Sequence, residues 1–206
     1  MPSRNVIKQN APNSYYHVYA RGASRQTIFL SPEDFEFFLS LFARYLSCEP
    51  VLDRSGAPYP HYASDVQLLA YCLMGNHFHL LLHQNEQGTM TNLMRSIMTS
   101  YSRYFNFKYK RSGALFESRY KASRIENDAY LQHISRYIHL NPRYWKRYPY
   151  SSYPWYVSKP AIQPEWLNIR TILELFASQK TYAEFVADYE EQKEIMDALK
   201  YELADT

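Results

Sequence analysis

Apolar residues recur along this chain at two periods, and the switching between them lays out its elements. Ser14 to Arg21 (Ser-Tyr-Tyr-His-Val-Tyr-Ala-Arg) is aromatic and β-branched, which predicts a strand closed by Gly22. Ser31 then stands as a cap, with Pro32 at the first helical position and Asp34 three residues on. Phe35, Phe37, Phe38, Leu41 and Phe42 follow at helical spacing, so a helix is predicted to end near Leu46. Residues 49–64, punctuated by Pro50, Gly56, Pro58 and Pro60, read as a loop. Asp65 to Met74 and His77 to His83 read as two strands joined by a Gly75-Asn76 turn. An amphipathic helix from about Thr89 to Phe105 comes next, with Leu93, Met94, Ile97, Met98 and Tyr101 on one side. After a basic loop pivoting on Gly113, Ala114 to Ile125 reads as a strand. Asn127 or Asp128 starts a helix that stops near Asn141-Pro142, because proline disfavours helical geometry in the residue before it. Residues 143–168 look irregular, and 169–206 read as two or three short helices. The order strand, helix, strand, strand, helix, strand, helix predicts an α+β fold: a ferredoxin-like antiparallel sheet with packed helices and a C-terminal helical extension.

The same periods place the candidate chemistry. On a strand successive side chains alternate faces, so His77 and His79 project from one side while Phe78, Leu80 and Leu82 fill the other. Two imidazoles in register make half a metal site, although two ordinary half-buried strand histidines would leave the same pattern. In the helix from 128 to 141, Leu131, Ile134 and Ile138 form an apolar stripe, and His133, Tyr137 and Asn141 recur at intervals of four on an adjacent face. Spacing alone does not single out Tyr137 from the chain's 21 tyrosines.

Composition narrows what such a site serves. A chain of 206 residues with 46% apolar content supports a sizeable core. Cys48 and Cys72 have no paired-ligand spacing, which argues against a disulfide framework and a cysteine zinc site and fits a reducing compartment. The first ten residues lack an apolar stretch and nothing approaches a membrane span, so a cytoplasmic protein is expected, associated with the nucleoid when bound to DNA, with no membrane partner. The net charge of +3 is unevenly spread: residues 101–150 hold eleven Lys or Arg against three acids, and residues 161–206 hold four against ten. Nine tyrosines share the basic segment. Cations interleaved with aromatic rings suit single-stranded nucleic acid, which needs phosphate neutralisation and a stacking surface for unpaired bases. A merely solvated basic face is the plainer alternative.

Several motifs occur together in order. They are Tyr16-His17-Val18-Tyr19-Ala20-Arg21-Gly22, Ile28-Phe29, Met74-Gly75-Asn76-His77-Phe78-His79-Leu80-Leu81, Tyr104-Phe105-Asn106, Arg111-Ser112-Gly113, Arg119-Tyr120-Lys121 and Tyr137-Ile138-His139-Leu140-Asn141-Pro142. From about residue 14 to 157 this pattern resembles the single-tyrosine HUH transposases (IS200-like), in particular the REP-associated tyrosine transposases. Pro164-Glu165-Trp166-Leu167 with Leu173 to Phe176 is similar to the helical extension of that branch. Gly75, where a proline often precedes the Asn-His pair, and the long 49–64 loop depart from the pattern.

The resemblance implies cleavage and rejoining of single-stranded DNA through a 5′-phosphotyrosine. By position Tyr137 matches the nucleophile, His77 and His79 the metal ligands, and Asn141 the third ligand. Two imidazoles and an amide oxygen would hold a divalent ion, Mg²⁺ or Mn²⁺, with open positions for a scissile phosphate. Arg21, Arg111, Arg119 and Lys121 are the candidate phosphate contacts, with Tyr120 as a stacking partner. The expected substrate is single-stranded or hairpin DNA from repeat sequences, with no nucleotide cofactor, acted on by a monomer or homodimer. Residues 1–160 are read as the transposase domain and 161–206 as an acidic extension that supplies no catalytic group. Three alternatives stand beside this. A histidine-triad nucleotide hydrolase is disfavoured because Leu81 interrupts the row before His83 and no phosphate-binding glycine loop is present. A structural zinc site lacks cysteine spacing, and a domesticated, non-cleaving binder of hairpin DNA or structured RNA would use the same basic surface.

Overall fold

The computed structural model describes residues 10–158 and 163–188. Four strands, β1 (Ser14–Arg21), β2 (Val66–Met74), β3 (His77–Gln84) and β4 (Lys121–Ile125), form an antiparallel sheet in the order β2-β3-β1-β4. Helices α1 (Pro32–Leu46), α2 (Thr89–Lys108) and α3 (Asp128–Leu140) complete the predicted order. Inserting β3 between β1 and β2 gives the split βαβ arrangement of ferredoxin-like sheets.

Strand alternation assigns the two faces. Val18, Ala20, Phe78, Leu80 and Leu82 are buried on one side, where the ring of Phe38 from α1 lies 5.1 Å from Phe78 and 5.0 Å from Tyr101 of α2. His17, Tyr19 and His79 face the other side, which α3 covers with Tyr137. A register shift between Leu68 and Ala70 puts Cys72 opposite His79 and Met74 opposite His77.

The start of α1 is held as its sequence predicts. Buried Asp34 accepts from Leu30 N at 2.7 Å and Ser31 N at 3.1 Å, and it also takes Lys108 Nζ at 2.7 Å and Tyr109 Oη at 2.8 Å. That cluster ties the beginning of α1 to the end of α2, which runs past Phe105 to Lys108. The Gly75-Asn76 turn is docked in turn on the segment before α1, with Ile28 N and Phe29 N both donating to Gly75 O at 2.8 and 3.0 Å.

Two expectations change. The fourth strand begins at Lys121, not Ala114. Leu115 and Phe116 are adjacent and both buried, which a strand with one covered face does not allow, and the segment instead wraps the end of β1. There Ala23 N donates to Leu115 O at 2.9 Å and Glu117 N to Arg21 O at 3.0 Å. Residues 143–158 are also less irregular than their prolines suggest: Trp145–Arg147 is a 3-10 turn and Tyr153–Val157 a short helix, α4, with Ser152 as its cap and Pro154 near its start.

Residues 163–188 contain α5 (Arg170–Leu173) and α6 (Gln179–Ala187). Leu167, Ile172, Tyr182 and Val186 join the same buried cluster as the sheet, and Asn168 N donates to Leu68 O at 2.8 Å at the β2 edge. Residues 159–162, where the two regions were divided, and 189–206 lie outside the described residues.

Candidate active site

One end of the sheet's α3 face gathers most of the singled-out side chains. β3 supplies His77 and His79, β1 supplies His17, Tyr19 and Arg21, and the last turn of α3 supplies Tyr137 and Asn141. Antiparallel register sets Arg21 opposite His77 and Tyr19 opposite His79. The His77 and His79 rings stand 5.0 Å apart at 82°, and Tyr137 lies edge-on to His79 at 5.3 Å and to His17 at 5.7 Å. Asn141, one turn beyond Tyr137, favours the ionised form of its hydroxyl and brings Oδ1 to 3.3 Å from His77 Nε2. His133 shares the interval of four but leaves the site: it meets Arg136 Nη2 at 2.9 Å and the Phe185 ring. A helix turns 100° per residue, so each step of four drifts by roughly 40°, and two steps carry His133 around toward α6.

The hydrogen bonds define what these nitrogens can do. Asn76 Nδ2 donates to Arg25 O at 3.3 Å, leaving its Oδ1 to meet His77 Nδ1 at 2.7 Å. His77 therefore faces an amide oxygen on each ring nitrogen. Burial, and then the charge of Arg21, push its pKa down to about 4, so the ring is neutral and carries one N–H. The shorter contact takes that proton, and Nε2 presents a lone pair toward the Asn141 oxygen. Two lone pairs converging on one space form a donor set for a cation.

His79 is arranged to match. Its Nδ1 lies 3.0 Å from His17 Nε2, and the two rings are stacked at 5.1 Å. Burial, followed by the neighbouring His17, His77 and Arg21, holds His79 neutral far below the usual histidine range, and burial lowers His17 to about 3. When His79 donates Nδ1–H to His17, its Nε2 keeps a lone pair on the His77 side of the sheet. An acceptor fixing the tautomer of a ligating imidazole is the usual support for a metal site. His77, His79 and Asn141 thus fit a divalent ion. Among the described residues no group of three or more His, Cys, Asp and Glu is placed to hold a metal, and a third donor beside the two imidazoles would be the Asn141 amide. Cys72 is buried with its thiol pushed up by that burial, and Cys48 is exposed elsewhere.

Tyr137 is only 5% exposed, and burial raises its phenol to about 12 against the opposing hydrogen bond from Asn141 and the charge of Arg21. It is a protonated phenol at neutral pH, and both groups that favour its anion belong to the site.

The other predicted DNA contacts divide. Lys121 pairs with Tyr19 across β1 and β4 and so flanks the site. Arg119 is exposed and lines an open groove with Arg103, Asn106 and Phe116 between α2 and the 114–119 segment. Arg111 is half-buried over the Phe105 ring at 5.6 Å, with Nη1 buried and unpartnered. Tyr120 is not available for stacking: it is 5% exposed and its hydroxyl meets Thr91 Oγ1 at 2.7 Å, because alternation turns it inward between outward-facing neighbours. His17 is the residue that pattern reading missed. Its signal was the odd-numbered row His17, Tyr19, Arg21, which shares a face with His79 only once β1 is paired with β3.

Residues 61–141 match the family model described as Transposase IS200 like, a span that includes the His77–His79 strand and the Tyr137–Asn141 turn. No curated protein matches the chain. Among solved structures, the REP-associated tyrosine transposase bound to a REP hairpin aligns over 79% of this chain and 89% of that one, with a TM-score of 0.53 at 12% identity, a likeness of fold. The match to the IS200-like transposase model thus spans the paired histidines and the helix tyrosine, and the sheet and helices that carry them share the fold of that solved structure.

Proposed function

We propose that this chain, an IS200-like transposase in its 61–141 segment, is a metal-dependent nuclease that cuts and rejoins single-stranded DNA through a phosphotyrosine on Tyr137. The observation that carries this is the convergence at the end of α3: Asn141 Oδ1 lies 3.3 Å from His77 Nε2, and the Tyr137 ring, one turn earlier, packs edge-on against His79 at 5.3 Å. A nucleophile and a cation donor set therefore address one point.

Tyr137 Oη attacks phosphorus in line, an O–P bond forms to the phenol, and the P–O3′ bond breaks. The proton lost by the phenol is balanced by the one gained by the departing 3′ oxygen. The phosphodiester energy stays in the tyrosine ester, so no nucleotide is consumed, and an incoming 3′-hydroxyl can reverse the step onto a new strand. His77, His79 and Asn141 would hold Mg²⁺ or Mn²⁺, which when bound polarises the phosphate and offsets charge developing on it. Asn141 and Arg21 stabilise the phenolate, and His17 keeps the His79 tautomer in place. The basic surface around this end of the sheet suits a DNA strand, and a hairpin from repeat sequences is the substrate proposed by analogy with the hairpin held by the structural relative.

Labelled oligonucleotides from the DNA flanking the gene test this. Cleavage of single strands in Mg²⁺ or Mn²⁺, absent in EDTA and on full duplex, is expected. Efficient duplex cutting, or full activity in excess EDTA, would contradict it, and tight hairpin binding without any cleavage would make the protein a binder instead.

A further inference from the structure

Burying Tyr120 leaves the basic surface without its expected stacking ring, and a different tyrosine occupies that role. We propose that Tyr144 is the platform on which one unpaired base of the DNA strand stacks beside the site, with Arg143, Lys146 and Arg147 taking the adjoining phosphates. Tyr144 is 75% exposed and is the one exposed tyrosine among the described residues. A large aromatic side chain left in water marks a contact surface more often than a polar residue does.

Its exposure comes from a turn fixed on both sides. Pro142 before it is buried, and Trp145 after it packs edge-on against Tyr153 at 4.9 Å. Arg147 N donates to Tyr144 O at 3.0 Å, closing the 3-10 turn, and Tyr148 Oη donates to Leu73 O at 2.7 Å. The ring is thus held out in position, three residues beyond Asn141, at the end of the helix that carries Tyr137.

The surrounding charge selects nucleic acid. Arg143, Lys146 and Arg147 are exposed, and the sequence holds no acidic residue between Asp128 and Glu165. The Arg143 guanidinium lies 5.6 Å from the Tyr144 ring centroid, and Lys146 Nζ 5.2 Å from that of Trp145, so the cations are already ranged along aromatic faces. A ring for a base and cations for phosphates within five residues is the minimal single-strand contact. An acidic protein would meet the cations but offer the ring no base, and among nucleic acids a DNA strand is the one whose cutting is proposed above. This role rests on the proposed nuclease activity.

Single-stranded oligonucleotides with 2-aminopurine at successive positions around the cut test it, with the full chain and the variants Tyr144→Ala and Tyr144→Trp. Wild type and Tyr144→Trp should quench the probe at one position, and Tyr144→Ala should lose that quenching and bind about ten-fold more weakly with an unchanged salt slope. Arg143→Gln or Arg147→Gln should keep the quenching and flatten the slope of log K on log salt by about 0.7 per lost contact. These side chains are exposed, so folding is not at issue. Wild-type affinity and quenching in Tyr144→Ala would overturn the platform while leaving the nuclease intact. A wild-type protein that binds no single-stranded DNA would overturn both.

Discussion

The His17 ring meets both His79 and Tyr137, so it supports the two halves of the site where they touch each other. Removing its acceptor in His17→Leu frees the His79 tautomer, and Mn²⁺ affinity measured by calorimetry should fall about 10- to 100-fold, the usual cost of losing such support. His17→Gln, which can still accept, should recover part of it, and equal affinities for Leu, Gln and wild type would leave His17 a packing residue. Loss of His77 or His79 to Ala should abolish metal binding, and Asn141→Ala should weaken it less because water can fill the vacated position. The paired histidines and the Tyr137–Asn141 step were legible because periods of two and four are local. His17 was not, because its relation to His79 spans 62 residues and exists only in the paired sheet. Tyr120 misled for a related reason: a basic neighbourhood in sequence says nothing about which way an alternating side chain turns.

At the scale of elements, α3 is clamped between the sheet and the 163–188 segment. His139, fully buried, meets Tyr182 Oη at 2.7 Å and Ser152 Oγ at 2.8 Å, and Tyr182 also donates to Ser135. Next to it Arg136 is buried, with Nη1 on Phe185 O at 3.2 Å and its guanidinium 4.2 Å from the Phe185 ring. Tyr182→Phe deletes one oxygen and leaves His139 Nδ1 unpaired, which costs about 1–3 kcal/mol and should lower Tm by several degrees. Metal-dependent nicking well below Tm should persist, because none of these groups touches the Tyr137 site. An unchanged melting curve would contradict the clamp. The hairpin, α1, α2 and α3 were readable from caps, turns and apolar periods. The start of β4 and the helix α4 were not, since both are set by what they pack on, the end of β1 and the β2 edge, and not by their own pattern.

Across the whole molecule the buried histidines make the fold sensitive to acid. His139 takes up its proton near 6.5 when unfolded but only at about 3 when folded, so the unfolded state binds more protons throughout that window. Stability is therefore full above 6.5 and falls as pH drops below it, by about 2 kcal/mol for this one group at pH 5. Thermal melts at pH 7 and 5 should show that loss, and His139→Gln should flatten it; identical pH dependence in both would contradict it. The uneven charge along the sequence, basic over 101–150 and acidic over 161–206, accords with the proposed DNA strand meeting the basic segment, which contains Tyr137.

The central claim is that Tyr137 becomes the covalent carrier of the cut strand. Mass spectrometry of protein trapped with a single-stranded substrate and Mn²⁺ tests it most directly. The expected result is a nucleotide joined through its 5′-phosphate to the peptide containing Tyr137, absent in Tyr137→Phe, which removes only the hydroxyl and keeps DNA affinity nearly intact. An adduct on Tyr101, Tyr104, Tyr120 or Tyr130, or cleavage that releases a free 5′-phosphate with no protein intermediate, would contradict it.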